Sequence, residues 1–519
     1  MKIYYTGRKT LRIILFSIIA ITILAVIINF VLVSSRLSRQ GFDYTGWDEE
    51  LVRLSNRLPR YTIEASFHEE EKLVKAAWQL DYTNNTGADL DELYFILHPN
   101  AFSSREDPPF PDDQLDQAYP EGFSEGYIRI LKVESDHGIS HETEGKRREF
   151  LRVDLNTPLK KGDSIIINME FEVKLPQCLG RFGYGQHTVN ITNWYPILAV
   201  CDRDTGWSLY PYYEIGDPFY SDVANYKVTI CAPKDYEIAC TGVADKVENQ
   251  GDNNIWHVEA LGVRDFAWIM SDGFMVSQET ADDILVKSYY FSRPSGTKAL
   301  EYGRDAIKIF NRYFGRYPYP QFSIVQADFY IGGMEYPNVI LNDKSLYSTG
   351  SRFMLEYVTV HETAHQWWYG LVGNDQVMEA WLDEGLTEYS TVLYFEEKYG
   401  EQRGRAVYEG VVEGKYMAYK NTYGVPEEGR EVILKPTYRF KGWLTYDALV
   451  YGKGAMVFDS LRQQMGDDTF KKVLARYYDE MRFKNATTQD FINICNKVTK
   501  KDWTDFFEDW LFDETPSHE

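Results

Sequence analysis

The chain has 519 residues, 44% of them hydrophobic and 15% aromatic, and a formal net charge of −23. That length exceeds a single ordinary core, so two or three domains are expected. The acid excess argues against a nucleic-acid partner, which needs a basic face, and is compatible with cationic substrates.

In chain order, residues 1–12 form a basic tail carrying Lys2, Arg8, Lys9 and Arg12. Residues 13–33, "IILFSIIAITILAVIINFVLV", are almost unbroken apolar sequence. At about 1.5 Å per residue such a helix crosses a hydrocarbon core of roughly 30 Å. Arg36 and Arg39 follow it. The larger positive excess lies on the N-terminal side, so the N-terminus is expected in the cytoplasm and the rest outside the cell membrane. A cleaved signal peptide is the rival reading. Its apolar region is shorter and ends in small residues, whereas "VSSRLSRQ" has no A-x-A pattern. An uncleaved anchor is therefore the expectation.

Residues 34–58 read as a linker. From 59 to 282, short β-branched and aromatic runs alternate with turn signals such as Asn-Asn-Thr-Gly and Gly-Asp-Asn-Asn, which predicts an antiparallel β domain. From 283 to 519 the pattern is mixed, with a helical C-terminal half; helices are expected over 352–370, 376–399, 401–421 and 447–465. Five cysteines (Cys178, Cys201, Cys231, Cys240, Cys495), with no C-x-x-C, do not make a disulfide framework. Cys231 and Cys240 flank a short loop and could pair, but buried free thiols are the expectation.

The chemistry concentrates in "VTVHETAHQWWYG", residues 358–370. Met354, Val358, His361 and His365 are spaced 4, 3 and 4, one helical stripe that begins apolar and ends in imidazole. Two imidazoles at i and i+4 converge on one point, and His-Glu-x-x-His on a helix reads as a zinc site. A catalytic zinc needs a third protein ligand and an open position. "EAWLDEGLTEYS" offers Asp383, Glu384 and Glu388 on the following helix, which a loop around 373–376 can fold back against the first. Glu388 is also placed for a bond to the outer face of a ligating histidine.

"HETAHQWWYG" followed by "WLDEGLTEY" resembles the gluzincin zinc aminopeptidases, the family of aminopeptidase N and leukotriene hydrolase. "GGMEYPN" (332–338) is similar to the family's Gly-x-Met-Glu-Asn motif, and "YGKGA" (451–455) to its Tyr-x-Lys-Gly motif. The resemblance implies a multidomain α+β protein in which the β domain precedes a thermolysin-like catalytic domain. It implies one Zn²⁺ per chain on His361, His365 and Glu384. Glu362 would be the general base and acid, taking a proton from the zinc-activated water and returning it to the leaving amine. Tyr451 would stabilise the oxyanion, with Tyr446 as its competitor. Glu335 would grip the substrate's α-ammonium group, with Gly332, Gly333 and Met334 forming an edge for the substrate backbone.

This sequence departs from the family pattern twice. Tyr336 and Pro337 intervene before the motif's asparagine. The family's β-domain glutamine, which helps hold the amine, has no clear counterpart, and Asn193 in "NITNWYP" is the nearest candidate. The expected function is a membrane-anchored, extracytoplasmic aminopeptidase acting on peptides with free N-termini. The alternatives are a thermolysin-type endopeptidase and a non-catalytic receptor or scaffold on a peptidase fold.

Overall fold

A computed structural model describes residues 46–202, 205–423 and 431–512. The apolar run 13–33, read as an anchor, lies outside the described residues. No helix among those described is long and apolar enough to cross a membrane.

The first half is built on a seven-stranded sheet. Its strands are β1 (Arg60–His68), β2 (Leu73–Thr83), β3 (Tyr127–Ser135), β4 (Ser164–Lys174), β5 (Ala224–Pro233), β6 (Val243–Gln250) and β7 (Asn253–Val263), in the spatial order β6-β7-β5-β1-β2-β4-β3. Burial alternates along β1, β2 and β4, so one face packs on the core and the other meets water. The expectation of a purely antiparallel domain needs one correction. β1 and β5 run parallel, from Arg60 opposite Asn225 to Ser66 opposite Cys231. The long excursion between those strands supplies a crossover, which a parallel pair requires. Two four-stranded sheets and a two-stranded ribbon, Cys201–Asp202 with Gly206–Trp207, complete the domain. All five cysteines are free thiols.

The second half opens with a five-stranded sheet: β8 (Met275–Ala281), β9 (Ile284–Tyr290), β10 (Gln321–Ala327), β11 (Gly333–Met334) and β12 (Val339–Asp343), ordered β8-β9-β10-β12-β11. β8 pairs with β9, so residues 275–281, read from sequence with the first domain, belong to this sheet. β11 lies at its edge, bonded only to β12 among the described strands. Helix α1 (Arg293–Tyr313) links β9 to β10. Then come α2 (Arg352–Ala364), α3 (Trp381–Tyr399), α4 (Glu401–Val407) and α5 (Glu413–Tyr423), a π-helical turn over Asp447–Lys453, and α6 (Gly454–Met465). Three more helices, Asp467–Met481, Thr488–Thr499 and Thr504–Leu511, close the domain.

A buried arginine ties the halves together. Arg264, 1% exposed, donates from Nε to Tyr369 O at 2.6 Å, from Nη1 to Ser221 O at 2.8 Å and from Nη2 to Lys484 O at 2.7 Å. A Cβ on Gly373 would overlap its guanidinium, so the glycine of the 373–376 loop makes room for this lock.

Candidate metal centre and active site

Helix α2 is shorter than its sequence predicts. It stops at Ala364, and the chain turns sharply, with Tyr369 held at φ 106°. The turn has a use. It brings the Trp368 carbonyl to 3.0 Å from His365 Nδ1. A carbonyl only accepts, so Nδ1 carries the proton and the Nε2 lone pair is left facing Glu384. On the other ring, His361 Nδ1 lies within ion-pair reach of Glu388 Oε2, at 3.0 Å. The imidazole stripe is buried, but Met354 at its other end is 43% exposed. The inward face of α2 therefore begins at Leu355, not at Met354.

Helix α3 crosses the end of α2 and delivers the third group. Glu384 Oε2 lies 3.1 Å from His365 Nε2 and 3.4 Å from His361 Nε2. The three ligand atoms all fall within 4.8 Å of one another, and all three residues are buried. Two lone pairs and a carboxylate oxygen facing each other repel unless a cation sits among them. Burial opposes a charged His361 ring, yet the neighbouring Glu384 and Glu388 carboxylates outweigh it and hold its pKa up to about 9. The pocket thus demands positive charge, and two nitrogens plus one carboxylate are the donors zinc prefers. These residues fit a zinc ion.

The close approach of α3 depends on glycine. A Cβ on Gly385 would lie 2.9 Å from the Gly454 carbonyl carbon, so α3 and α6 touch backbone to backbone. That contact also explains the Tyr-Gly-Lys-Gly run. With Gly454 pressed on Gly385, Tyr451 is carried over the centre. Its hydroxyl donates to Glu384 Oε1 at 2.5 Å, and its ring stacks on His361 at 5.8 Å. Tyr446, the competitor, packs edge-on against the Tyr451 ring, and its buried hydroxyl has no hydrogen-bond partner among the described residues.

Glu362 is 6% exposed. Its carboxylate lies against β11, where a Cβ on Gly333 would come within 2.1 Å of Oε1. Burial pushes its pKa upward, and a cation among the ligands would act in the opposite direction. Gly332 contributes a left-handed backbone, φ 98°. Met334 points into the core, 1% exposed. Glu335 is 4% exposed and accepts from Gln376 Nε2 at 3.4 Å.

Asn193 does not join this cluster. Its Nδ2 donates to Asp265 at 2.6 Å, and its Oδ1 accepts from the Tyr336 hydroxyl at 2.7 Å. Both ends of the amide are engaged behind Tyr336, so the inserted tyrosine and Asn193 form one interdomain contact.

Sequence reading missed two groups. Lys415 on α5 reaches Glu388 Oε1 at 2.9 Å and Asp447 Oδ1 at 3.0 Å, with its Nζ 4.7 Å from the Tyr451 ring centroid. No local pattern marks it. Gln376 lies in the loop between the ligand helices, and only its place between two histidines and a glutamate hinted at a role.

Residues 298–510 match the profile described as the Peptidase family M1 domain. The chain is 23% identical over 389 residues to probable aminopeptidase 2 of Sulfurisphaera tokodaii, covering 72% of this chain and 48% of that protein. It is 28% identical over 233 residues to aminopeptidase N of Lactococcus lactis, covering 41% and 26%. The chain thus spans half or less of the length of these relatives. Among solved structures, an M1 zinc metallopeptidase from Deinococcus radiodurans aligns with a TM-score of 0.61 at 14% identity, over 88% of this chain and 93% of that one. A crystal of that protein with a Tyr-Ser-Ala substrate aligns equally well. The likeness to the peptidase family M1 domain thus falls on the second half of the chain, where the cluster lies, and these relatives bear aminopeptidase names.

Proposed function

We propose that the chain is a zinc-dependent aminopeptidase that removes N-terminal residues from peptides. One observation carries this reading: His361, His365 and Glu384 converge on a single point that lies beside both a buried carboxylate, Glu362, and a free sheet edge ending in Glu335. The aminopeptidase names of the relatives point the same way.

The roles follow from the geometry. His361, His365 and Glu384 would hold the zinc, which when bound polarises the scissile carbonyl and acidifies water to a pKa near ~7. An extended substrate adds to the open edge of β11, whose glycines let its backbone come close. Glu362, packed on that edge, accepts the proton of the attacking water and passes it to the leaving amine. Tyr451 gives up its bond to Glu384 and donates to the oxygen on which charge develops. Glu335, at the end of the edge, takes the α-ammonium group and restricts cleavage to the first residue.

A comparison of aminoacyl-anilides with their N-acetylated forms tests this reading. The free amine is expected to be cleaved far faster. Equal cleavage would favour an endopeptidase instead. Loss of metal to a chelator is expected to abolish turnover, and zinc to restore it.

We also propose that residues 13–33 anchor the chain in the cell membrane with the catalytic domain outside. The support is the length and apolarity of that run and the basic residues before it. Alkaline carbonate extraction of membranes, together with protease protection, tests it. Release by carbonate would contradict it.

A further inference from the structure

The strand edge proposed to hold substrate is short. β11 has two residues, so its own ladder fixes it only weakly. On its inner side Gly333 lies opposite Asn342 and Met334 opposite Leu341, and the Gly332 carbonyl accepts from Asp343 N–H at 2.7 Å. On its outer side it has no strand partner among the described residues. A Cβ built on Gly332 would meet nothing within 4 Å. Support from beyond the sheet is needed to set where this edge lies.

Asp328 supplies it. β10 and β12 run parallel, with Ala327 opposite Asp343. The next residues, Asp328 and Lys344, therefore leave the sheet side by side, and Lys344 Nζ donates to Asp328 Oδ1 at 2.6 Å. Asp328 Oδ2 accepts from two backbone N–H groups of the β domain, those of His187 and Thr188, the second at 3.1 Å. The Asp328 backbone joins the same place: its N–H donates to Thr188 Oγ1 at 2.9 Å, and its carbonyl accepts from Asn190 Nδ2 at 3.0 Å. The residue is fully buried. Burial opposes its charge, yet Lys344 and the two N–H groups outweigh it and hold the carboxyl below the usual carboxylate range. With both oxygens engaged, the carboxylate has one place to sit. It joins the β domain, the end of β10 and the end of β12. Residues 329–332 then lead straight into the open edge, and just past that edge the Tyr336 hydroxyl donates to Thr192 and Asn193. The β domain thus grips the segment on both sides of the edge while lending no side chain to the His361, His365 and Glu384 cluster.

We propose that Asp328, held by Lys344 and the 187–188 backbone, is a positioning residue that sets the β11 edge against the metal ligands and so aligns a peptide for attack. This rests on the aminopeptidase reading, with substrate added to β11, and gives the β domain a part in it. Asp328 acts through the backbone of 329–333 and touches no substrate. Loosening the joint lets the edge shift, and with it the scissile carbonyl, while the ligand helices α2 and α3 stay where they are. Small displacements of a reacting group are costly, so the effect falls on extended substrates and spares ligands that reach only the metal.

The test uses the full zinc-loaded chain and its Asp328→Asn, Lys344→Met and Lys344→Arg variants. Asp328→Asn turns an amide NH₂ toward groups that only donate. The Lys344 side chain is 38% exposed, so Lys344→Met covers the case in which Asp328→Asn fails to fold. Three quantities are read: kcat/KM for trialanine, the inhibition constant of acetohydroxamate, which reaches the metal without lying along the edge, and zinc content. Asp328→Asn and Lys344→Met are expected to lower kcat/KM by about tenfold or more, with acetohydroxamate inhibition within about twofold of the unsubstituted chain and zinc retained. Lys344→Arg, which keeps the charge, is expected to recover most of the loss. A kcat/KM within about twofold of the unsubstituted value in Lys344→Met overturns the proposal and leaves the aminopeptidase reading intact. So does an equal loss of acetohydroxamate inhibition, which would mark general damage to the site. A zinc-loaded unsubstituted chain that releases no alanine from trialanine overturns both.

Discussion

Glu362 Oε1 occupies the space that a Cβ on Gly333 would fill, 2.1 Å from its ideal position. The two residues are far apart in sequence and come from different elements, an edge strand and a ligand helix. Their contact places the proton-transfer group against the strand edge proposed to hold substrate. Gly333→Ala is expected to fold and bind zinc, because β11 is short and peripheral, but to displace Glu362. A misplacement of about 1 Å costs on the order of a hundredfold in kcat. Steady-state kinetics alongside metal analysis checks it; near-normal kcat would show that Glu362 can move without penalty.

Tyr451 and Tyr446 separate by function. Tyr451→Phe removes the hydroxyl that bonds Glu384, so kcat is expected to fall about 10²–10³-fold with little change in KM. Tyr446→Phe removes a hydroxyl that has no hydrogen-bond partner among the described residues, and kcat is expected to stay within a few-fold. Kinetics of the two variants side by side decides the assignment.

Lys415 holds Glu388, and Glu388 holds His361. The ammonium keeps that carboxylate ionised and in place, acting on the metal through two intermediaries. Lys415→Met is expected to weaken zinc about 10–100-fold in a chelator competition. Lys415→Arg, which keeps the charge, is expected to recover part of the loss. Unchanged zinc affinity in both would make the lysine a packing residue.

His98 makes acid stability predictable. It is buried, 5.1 Å from the Phe219 ring centroid, and burial lowers its pKa to about 3. The unfolded chain binds a proton near pH 6.5, and the folded chain does not bind it until about 3. Between those values unfolding takes up a proton, so stability falls as pH drops from 6.5. At pH 5 this group alone costs about 2 kcal/mol. Urea titrations at pH 7 and 5 are expected to show a smaller pH loss in His98→Leu than in the unsubstituted protein.

The convergence of His361, His365 and Glu384 was legible because these residues sit in short segments of fixed geometry. His361 and His365 share a helix face, and Glu384 lies in a motif that a helix presents as a unit. The two glycines of β11 and the glycines around Tyr451 were visible as a pattern, but their reasons were not. Gly333 yields to Glu362 and Gly454 to Gly385, contacts set by tertiary packing. The end of α2 was misplaced for a related reason. Residues 365–370 read as a continuation of the helix, but the chain turns after Ala364 and brings the Trp368 carbonyl to His365. Residues 275–281 read equally well as the last strand of one domain or the first of the next, since periodicity does not name a pairing partner. Asn193 was nominated by position alone; its amide is used by Asp265 and Tyr336, neither close to it in sequence. Lys415 carried no local signal, because charges that meet across helices leave no spacing to read.

The most direct measurement is zinc content and turnover of the Glu362→Gln variant beside those of the unsubstituted chain. The expected result is one zinc per chain in both, with alanyl-anilide turnover in the variant lower by about 10²–10⁴-fold. One zinc per chain with turnover unaffected by the substitution, or a chain that binds no zinc, would contradict the central claim.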